Sequence, residues 1–258
     1  MAASRTKVGV ALVLAGGLAL TACSSQAQPQ DMPQDELHQA LTESPTAQPD
    51  TDQGAPGEPT AEDLGTVDLA TQVGAVFAAE LGFDQSQRIT KEQLAELAKP
   101  PTDTLADVVV LPGQCEGPLE ALNWSPAQLG TEVARTDFTN AAGNVAGSIE
   151  VAELEDRVDL EEHFRTVLKM RTDCSSIKLN WVEFTETLKF SNPGVDGVES
   201  QLSYTRRGNS ATAQDTVVLI QSTGQYVAMV SFMSGTSLAD DTINLVGKQI
   251  LDSVLAQL

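Results

Sequence analysis

"AQDTVVLIQSTGQYVAMVSFMS", residues 213–234, decides the fold. Two runs rich in apolar and β-branched residues, "TVVLI" and "YVAMVSFM", flank Thr223-Gly224, the pattern of two strands joined by a tight turn. Both runs are apolar on both faces, which implies central strands covered on each side by another layer.

Reading outward toward the N-terminus extends this sheet. Residues 198–206 place Val198, Leu202 and Tyr204 on one face, and "RRGNS" (206–210) turns the chain. "NPGVDG" (192–197) is a second turn, and residues 177–190 read as one long alternating strand. Residues 159–171 form a helix capped by Asp159, with Leu160, Phe164, Val167 and Leu168 facing one way. Acids crowd its start, and Lys169 and Arg171 its end, as the helix dipole favours. Residues 132–139 and 144–154 alternate and pair through "NAAGN". On the C-terminal side Ser237 caps a last helix, in which Ile243, Val246, Ile250, Val254 and Leu258 share a face.

The order from residue 131 is therefore ββαββββα. Hairpin-length turns make the sheet mainly antiparallel with helices packed on it, an α+β domain. An N-terminal helical segment precedes it. Val67, Val73, Val76, Phe77 and Leu81 share a helical face over residues 67–81. Thr90 and Gln93 form a capping box for a short helix that Pro100-Pro101 stops. "DVVVL" (107–111) ends a short strand before Pro112-Gly113-Gln114-Cys115, and a loop follows around Trp124.

Residues 65–258 thus read as one globular domain. What precedes them does not. Arg5 and Lys7 lead into a 13-residue apolar run, 8–20, too short for a bilayer span and suited to a signal peptide over residues 1–22. Leu20-Thr21-Ala22-Cys23 is similar to the bacterial lipobox, in which the thiol of the cysteine, here Cys23, accepts a diacylated lipid (palmitate) and the residue becomes the new N-terminus. Several acyl chains on one residue would anchor the protein stably to the membrane, which one chain does poorly. Residues 23–64 read as an acidic, disordered stalk: from Ser24 onward they hold nine acids and no Lys or Arg. A coil of that length spans roughly 35–40 Å. The expected location is the extracytoplasmic face of a bacterial cell membrane.

Composition narrows the partners. The domain carries 27 acidic and 13 basic residues, which argues against nucleic acid and against broad adhesion to anionic lipid. With Cys23 acylated, Cys115 and Cys174 remain as an even pair outside the reducing cytosol, and a disulfide is expected. Two free thiols or a redox pair are the alternative, although no Cys-x-x-Cys is present.

The lipobox, the acidic Pro-rich stalk, "DVVVLPGQC", a helix ending at "RTDC" and a closing helix together resemble a group of actinobacterial lipoproteins. These are similar to the PknH-type extracellular sensor domain and its stand-alone lipoprotein relatives. The likeness covers roughly residues 65–258. The PknH-type domain typically carries two disulfides, whereas this chain has cysteines for one. A looser likeness is to the Mog1/PsbP-like fold of some envelope lipoproteins. Either resemblance implies binding of a ligand or partner in the cell envelope, and neither implies catalysis or transfers a binding residue.

The residues themselves add no catalytic constellation. His38 lies in the stalk, and His163 reads as a helix-surface or boundary residue without the neighbours that a zinc site or a dyad requires. No Gly-x-Ser-x-Gly, phosphate loop or dinucleotide fingerprint is present, and no cofactor or metal is expected. Acid pairs such as Glu153 with Glu155, or Glu161 with Glu162, mean little in so acidic a domain. Arg206-Arg207 reads as a solvated turn outside the principal cleft, with an anion grip as the alternative. Trp124 and Trp181 read as core or rim packing, with a ligand cleft as the alternative.

Two functions fit. One is a non-enzymatic module binding an envelope lipid, glycolipid or glycan at a helix–sheet seam, in a sensing or carrier role. The other is a scaffold with a filled core that recruits membrane-protein or envelope-biogenesis partners. An apolar pocket of several hundred Å³ would favour the first.

Overall fold

A computed structural model describes residues 65–99, 104–238 and 241–258. The expected signal peptide (1–22), acylation of Cys23, stalk (23–64) and Pro100-Pro101 stop lie outside them.

Nine strands form one antiparallel sheet: β1 (Gln85–Arg88), β2 (Val109–Leu111), β3 (Gly130–Thr139), β4 (Val145–Leu154), β5 (Ser176–Asn180), β6 (Thr185–Ser191), β7 (Ser200–Arg207), β8 (Gln214–Thr223) and β9 (Tyr226–Ser234). Their order is β1-β3-β4-β9-β8-β7-β6-β5-β2. The stretch 213–234 supplies β8 and β9, which pair from Asp215↔Ser234 to Thr223↔Tyr226 near the middle of the sheet. Five helices accompany it: α1 (Thr66–Glu80), α2 (Lys91–Leu97), α3 (Glu116–Ala121), α4 (Val158–Thr172) and α5 (Asp241–Leu255). The α+β class stands as read.

Pairing sorts the side chains into two faces. Ile149, Val151, Val217, Leu219, Val230 and Phe232 point to one face and pack with Val67, Ala70, Ile250, Leu251 and Val254 of α1 and α5. We call this the filled face. Phe83, Phe138 and Phe232 close its end, with ring centroids 5.3–5.6 Å apart. Contact there is tight: a Cβ on Gly74 would stand 2.5 Å from Val254 Cγ2 and 3.0 Å from Ile149 Cδ1. On the opposite face Leu188, Phe190, Leu202 and Tyr204 meet Val167 and Met170 of α4, and Ile220 and Met229 meet Leu160. This is the seam face. The link through α4 carries the chain from β4 over it to β5 at the other side of the sheet.

Several expectations need correction. Residues 177–190 are two strands, β5 and β6, so the order after residue 131 gains one strand. Trp181 N–H donates to the Phe184 carbonyl at 2.9 Å, and Asn180↔Thr185 closes the hairpin. The turn sequence, Trp-Val-Glu-Phe, contains none of the residues that normally mark one. Strand β1, exposed throughout and polar, was not anticipated, because it has no apolar alternation. Part of the loop expected near Trp124 is α3. Asp159 lies inside the first turn of α4 rather than capping it, and Asp156 instead accepts from the Val158 N–H at 3.0 Å. The capping box at Thr90 is present as read.

Candidate functional site

The site forms where the loop carrying Trp124 meets α4 above the seam face. Three constraints hold that loop. The backbone N–H of Trp124 donates to the Leu122 carbonyl at 2.9 Å. Before it, Cys115, at the N-cap of α3, is bonded to Cys174 just beyond α4, with Cα atoms 5.7 Å apart. After it, Glu150 of β4 holds the 3-10 turn Pro126–Gln128, accepting from the Ala127 N–H at 2.7 Å and from the Ser125 hydroxyl. Arg135 donates to the other Glu150 oxygen at 3.3 Å and to Asp137 at 2.7 Å. These charges are buried and mutually satisfied, so they build the site rather than bind at it.

His163 is brought to the same place by helical periodicity. Leu160, His163, Val167 and Met170 form the buried stripe of α4, while Leu168 is 52% exposed. The stripe is rotated from the expected Leu160, Phe164, Val167 and Leu168, and His163 is buried in it instead of at the helix surface or boundary. The 160-163-167-170 spacing was there to be read, but a histidine does not count as apolar in a pattern search. Trp124 stacks on it, with ring centroids 4.2 Å apart and planes 19° from parallel. Burial lowers the His163 pKa from the usual 6.5 to about 4, so the ring is neutral at pH 7. Trp124 Nε1 and His163 Nδ1 are both buried without a hydrogen-bond partner. Unpaired buried polar atoms are uncommon, and two on one stacked pair mark the place where a polar group belongs.

Both rings line a pocket between α4 and strands β7, β8 and β9, walled by Leu122, Val167, Leu202, Ile220 and Met229 and edged by Ser200 and Tyr204. Its interior space is about 30 Å³. That holds about two waters and does not enclose an acyl chain. A pocket of several hundred Å³, which would favour ligand binding over a scaffold with a filled core, is not formed at this seam.

Other expected residues lie elsewhere. Arg206 is fully buried at the end of β7, not in a solvated turn. Its guanidinium binds Glu186 through two bonds of 2.9 and 2.6 Å. Glu186 also accepts from Trp181 Nε1 at 2.7 Å and from the Thr212 hydroxyl. Burial raises the Glu186 pKa, but the bonds and charge of Arg206, with Thr212 and Trp181, outweigh it and leave it below the ordinary value. Arg207 pairs with Asp215 and donates to the Gln214 carbonyl at 2.9 Å. Neither arginine lines the seam pocket, in agreement with the reading that they lie outside the principal cleft. Trp181 belongs to the Glu186 network, while Trp124 takes the cleft position. The Cys115–Cys174 bond is as expected.

A wider groove of about 250 Å³ lies among Asp68, Arg88, Thr90, Lys91 and Leu94. Arg88 pairs with Asp68 there and Thr90 is used in the capping box, while the Lys91 side chain is exposed. Among the described residues no three His, Cys, Asp or Glu side chains converge to hold a metal, and no helix is long and apolar enough to cross a membrane.

No family model and no curated protein matches the chain. Solved structures similar to it include two mycobacterial proteins. One is the extracellular domain of PknH from Mycobacterium tuberculosis, 13% identical, with TM-score 0.41, covering 77% of this chain and 98% of that one. The other is an uncharacterised protein of Mycobacterium smegmatis, an Rv0999 ortholog, 15% identical, with TM-score 0.44, covering 73% and 95%. At those values neither likeness decides what this chain does.

Proposed function

We propose that this chain is an extracytoplasmic, membrane-anchored binding module of the sensing type, and that it recognises an envelope glycan or lipid headgroup at the seam face. The observation that carries the reading is the Trp124–His163 pair: both rings line an apolar pocket, and each carries a buried nitrogen without a partner. The pocket admits the edge of a ligand, so recognition is of an exposed group on a larger molecule. The Cys23 anchor and the stalk would hold the domain within reach of such molecules. No catalytic step is assigned to it.

The test is native mass spectrometry of the full chain isolated from its own membrane. A co-purified mass is expected, and Met229→Trp, which fills the pocket, should remove it while the chain stays folded. A mass retained in that variant, or none in the wild type, contradicts seam binding.

A second reading, recruitment of a protein partner, is favoured by the outer edge of the sheet. Val109 and Leu111 of the edge strand β2 are 58% and 45% exposed, and Val182 in the β5–β6 turn is 88% exposed. Exposed apolar residues grouped at a strand edge suit strand-on-strand docking. Val182→Asp with Leu111→Lys should abolish capture of that partner and leave the co-purified ligand in place.

A further inference from the structure

The seam pocket also restricts the chemistry of what enters it. None of its lining residues is an acid, a lysine or an arginine. Of the guanidiniums around it, Arg206 is paired with Glu186, Arg135 with Asp137 and Glu150, and Arg171, outside the lining, donates to the Gln201 carbonyl at 3.1 Å. A carboxylate or phosphate would lose its hydration against an apolar wall with no cation in the lining to meet it, and an ammonium would find no carboxylate there. The ligand group is therefore neutral.

Its hydrogen-bonding character follows from the two nitrogens. An indole N–H only donates, and a neutral imidazole nitrogen either accepts or donates according to tautomer. A hydroxyl accepts and donates at once, so it serves Trp124 together with His163 in either tautomer. A carbonyl oxygen, which only accepts, serves one tautomer alone. The space, about 30 Å³, sets the size. It suits one small group on a single carbon and excludes a sugar ring.

We propose that the seam between Trp124 and His163 binds a primary hydroxyl, a –CH2OH group carried on a neutral frame, as on a hexose or a glycerol headgroup. The Trp124 N–H donates to its oxygen, and its proton bonds to His163 Nδ1. The aliphatic walls, Leu122, Val167, Ile220 and Met229, pack its methylene. This deepens the seam-binding reading and rests on it.

The experiment follows the indole and imidazole nitrogen signals of the full chain by NMR, with Trp124→Phe assigning the Trp124 peak and the Trp181 peak reporting that each variant is folded. The probes are methyl glucoside, its 6-deoxy analogue, methyl glucuronide and glycerol. A saturable shift of Trp124 and His163 is expected with methyl glucoside, at least about tenfold weaker with the 6-deoxy compound and the glucuronide, the effect of losing one good hydrogen bond or adding an unpaired charge. His163→Phe should weaken methyl glucoside by about tenfold and leave the 6-deoxy compound unchanged. A response to glycerol as well points to a headgroup source, and none to a glycan; either supports the hydroxyl. Equal or stronger binding of the 6-deoxy compound or the glucuronide overturns the hydroxyl and leaves the seam as the site. No shift of Trp124 with any probe also overturns it. If Met229→Trp keeps its co-purified mass too, the seam reading falls with it.

Discussion

The two faces of one sheet are built by opposite rules. On the filled face α1 and α5 press apolar side chains onto β4, β8 and β9, and among the described residues the buried acid there is Asp215 at its margin, paired with Arg207. On the seam face lie the other buried charges, Arg135, Asp137, Glu150, Glu186 and Arg206, together with His163. Apolar burial there would be simpler and, by analogy with replaced ion pairs elsewhere, at least as stable. Both faces carry an apolar core; the seam face adds to its core buried ion pairs, a stacked ring pair and a narrow pocket.

The comparison can be broken most forcefully at Arg206. Arg206→Met leaves the Glu186 carboxylate buried and unpaired, and should cost about 3–5 kcal/mol of stability in denaturant unfolding. Adding Glu186→Leu should recover most of the loss. If the double variant is as unstable as the single one, the pair does more than compensate itself. Removing the disulfide comes next. It spans 59 residues, and replacing both cysteines with serine should cost about 4 kcal/mol in the chain-entropy model. Reduction should loosen the Trp124 loop as well, seen as a sharper, shifted indole signal; unchanged melting would remove the disulfide from the account.

Smaller effects sharpen the contrast. His163 has a folded pKa of about 4 against 6.5 when unfolded, so the unfolded chain takes up its proton first as pH falls. The stability this residue contributes is complete above pH 6.5 and is lost as pH falls toward 4, about 3 kcal/mol in all. The difference between wild type and His163→Phe, measured across that window, isolates it; parallel curves would mean that the ring is not buried neutral. The smallest effect separates the faces by volume. Gly74→Ala on the filled face should cost about 1–3 kcal/mol, since its methyl meets Val254 and Ile149. Val218→Ile, which adds a methylene at the seam pocket, should cost less than about 1 kcal/mol.

The filled face was legible in the sequence for a physical reason: apolar burial writes a period. Alternation marked β3 and β4, two-sided apolar runs marked β8 and β9, and the helical repeat marked α1 and α5. The Cys115–Cys174 bond was legible from compartment and count. The seam face was not, because its logic is long-range. Glu186 reaches Arg206 only if Trp-Val-Glu-Phe is a turn, and nothing in those four residues announces one. Once β5 and β6 are read as a single strand, Arg206 has no partner and looks solvated. His163 was misplaced because a polar residue in an apolar stripe breaks the pattern that would reveal it. Polar exceptions to packing are where sequence patterns fail, and here they sit around the candidate site.

The central claim is that the seam face, at Trp124, is where a ligand is held. The most direct measurement compares the two indole N–H signals in the full chain as isolated from its membrane and after the chain has been unfolded, stripped and refolded. Trp181 already donates to Glu186, so it serves as the internal control. The account predicts that the Trp124 signal moves on stripping and returns with the extracted ligand, while Trp181 stays in place. A Trp124 signal identical in the two preparations, although a bound mass has been removed, would contradict it.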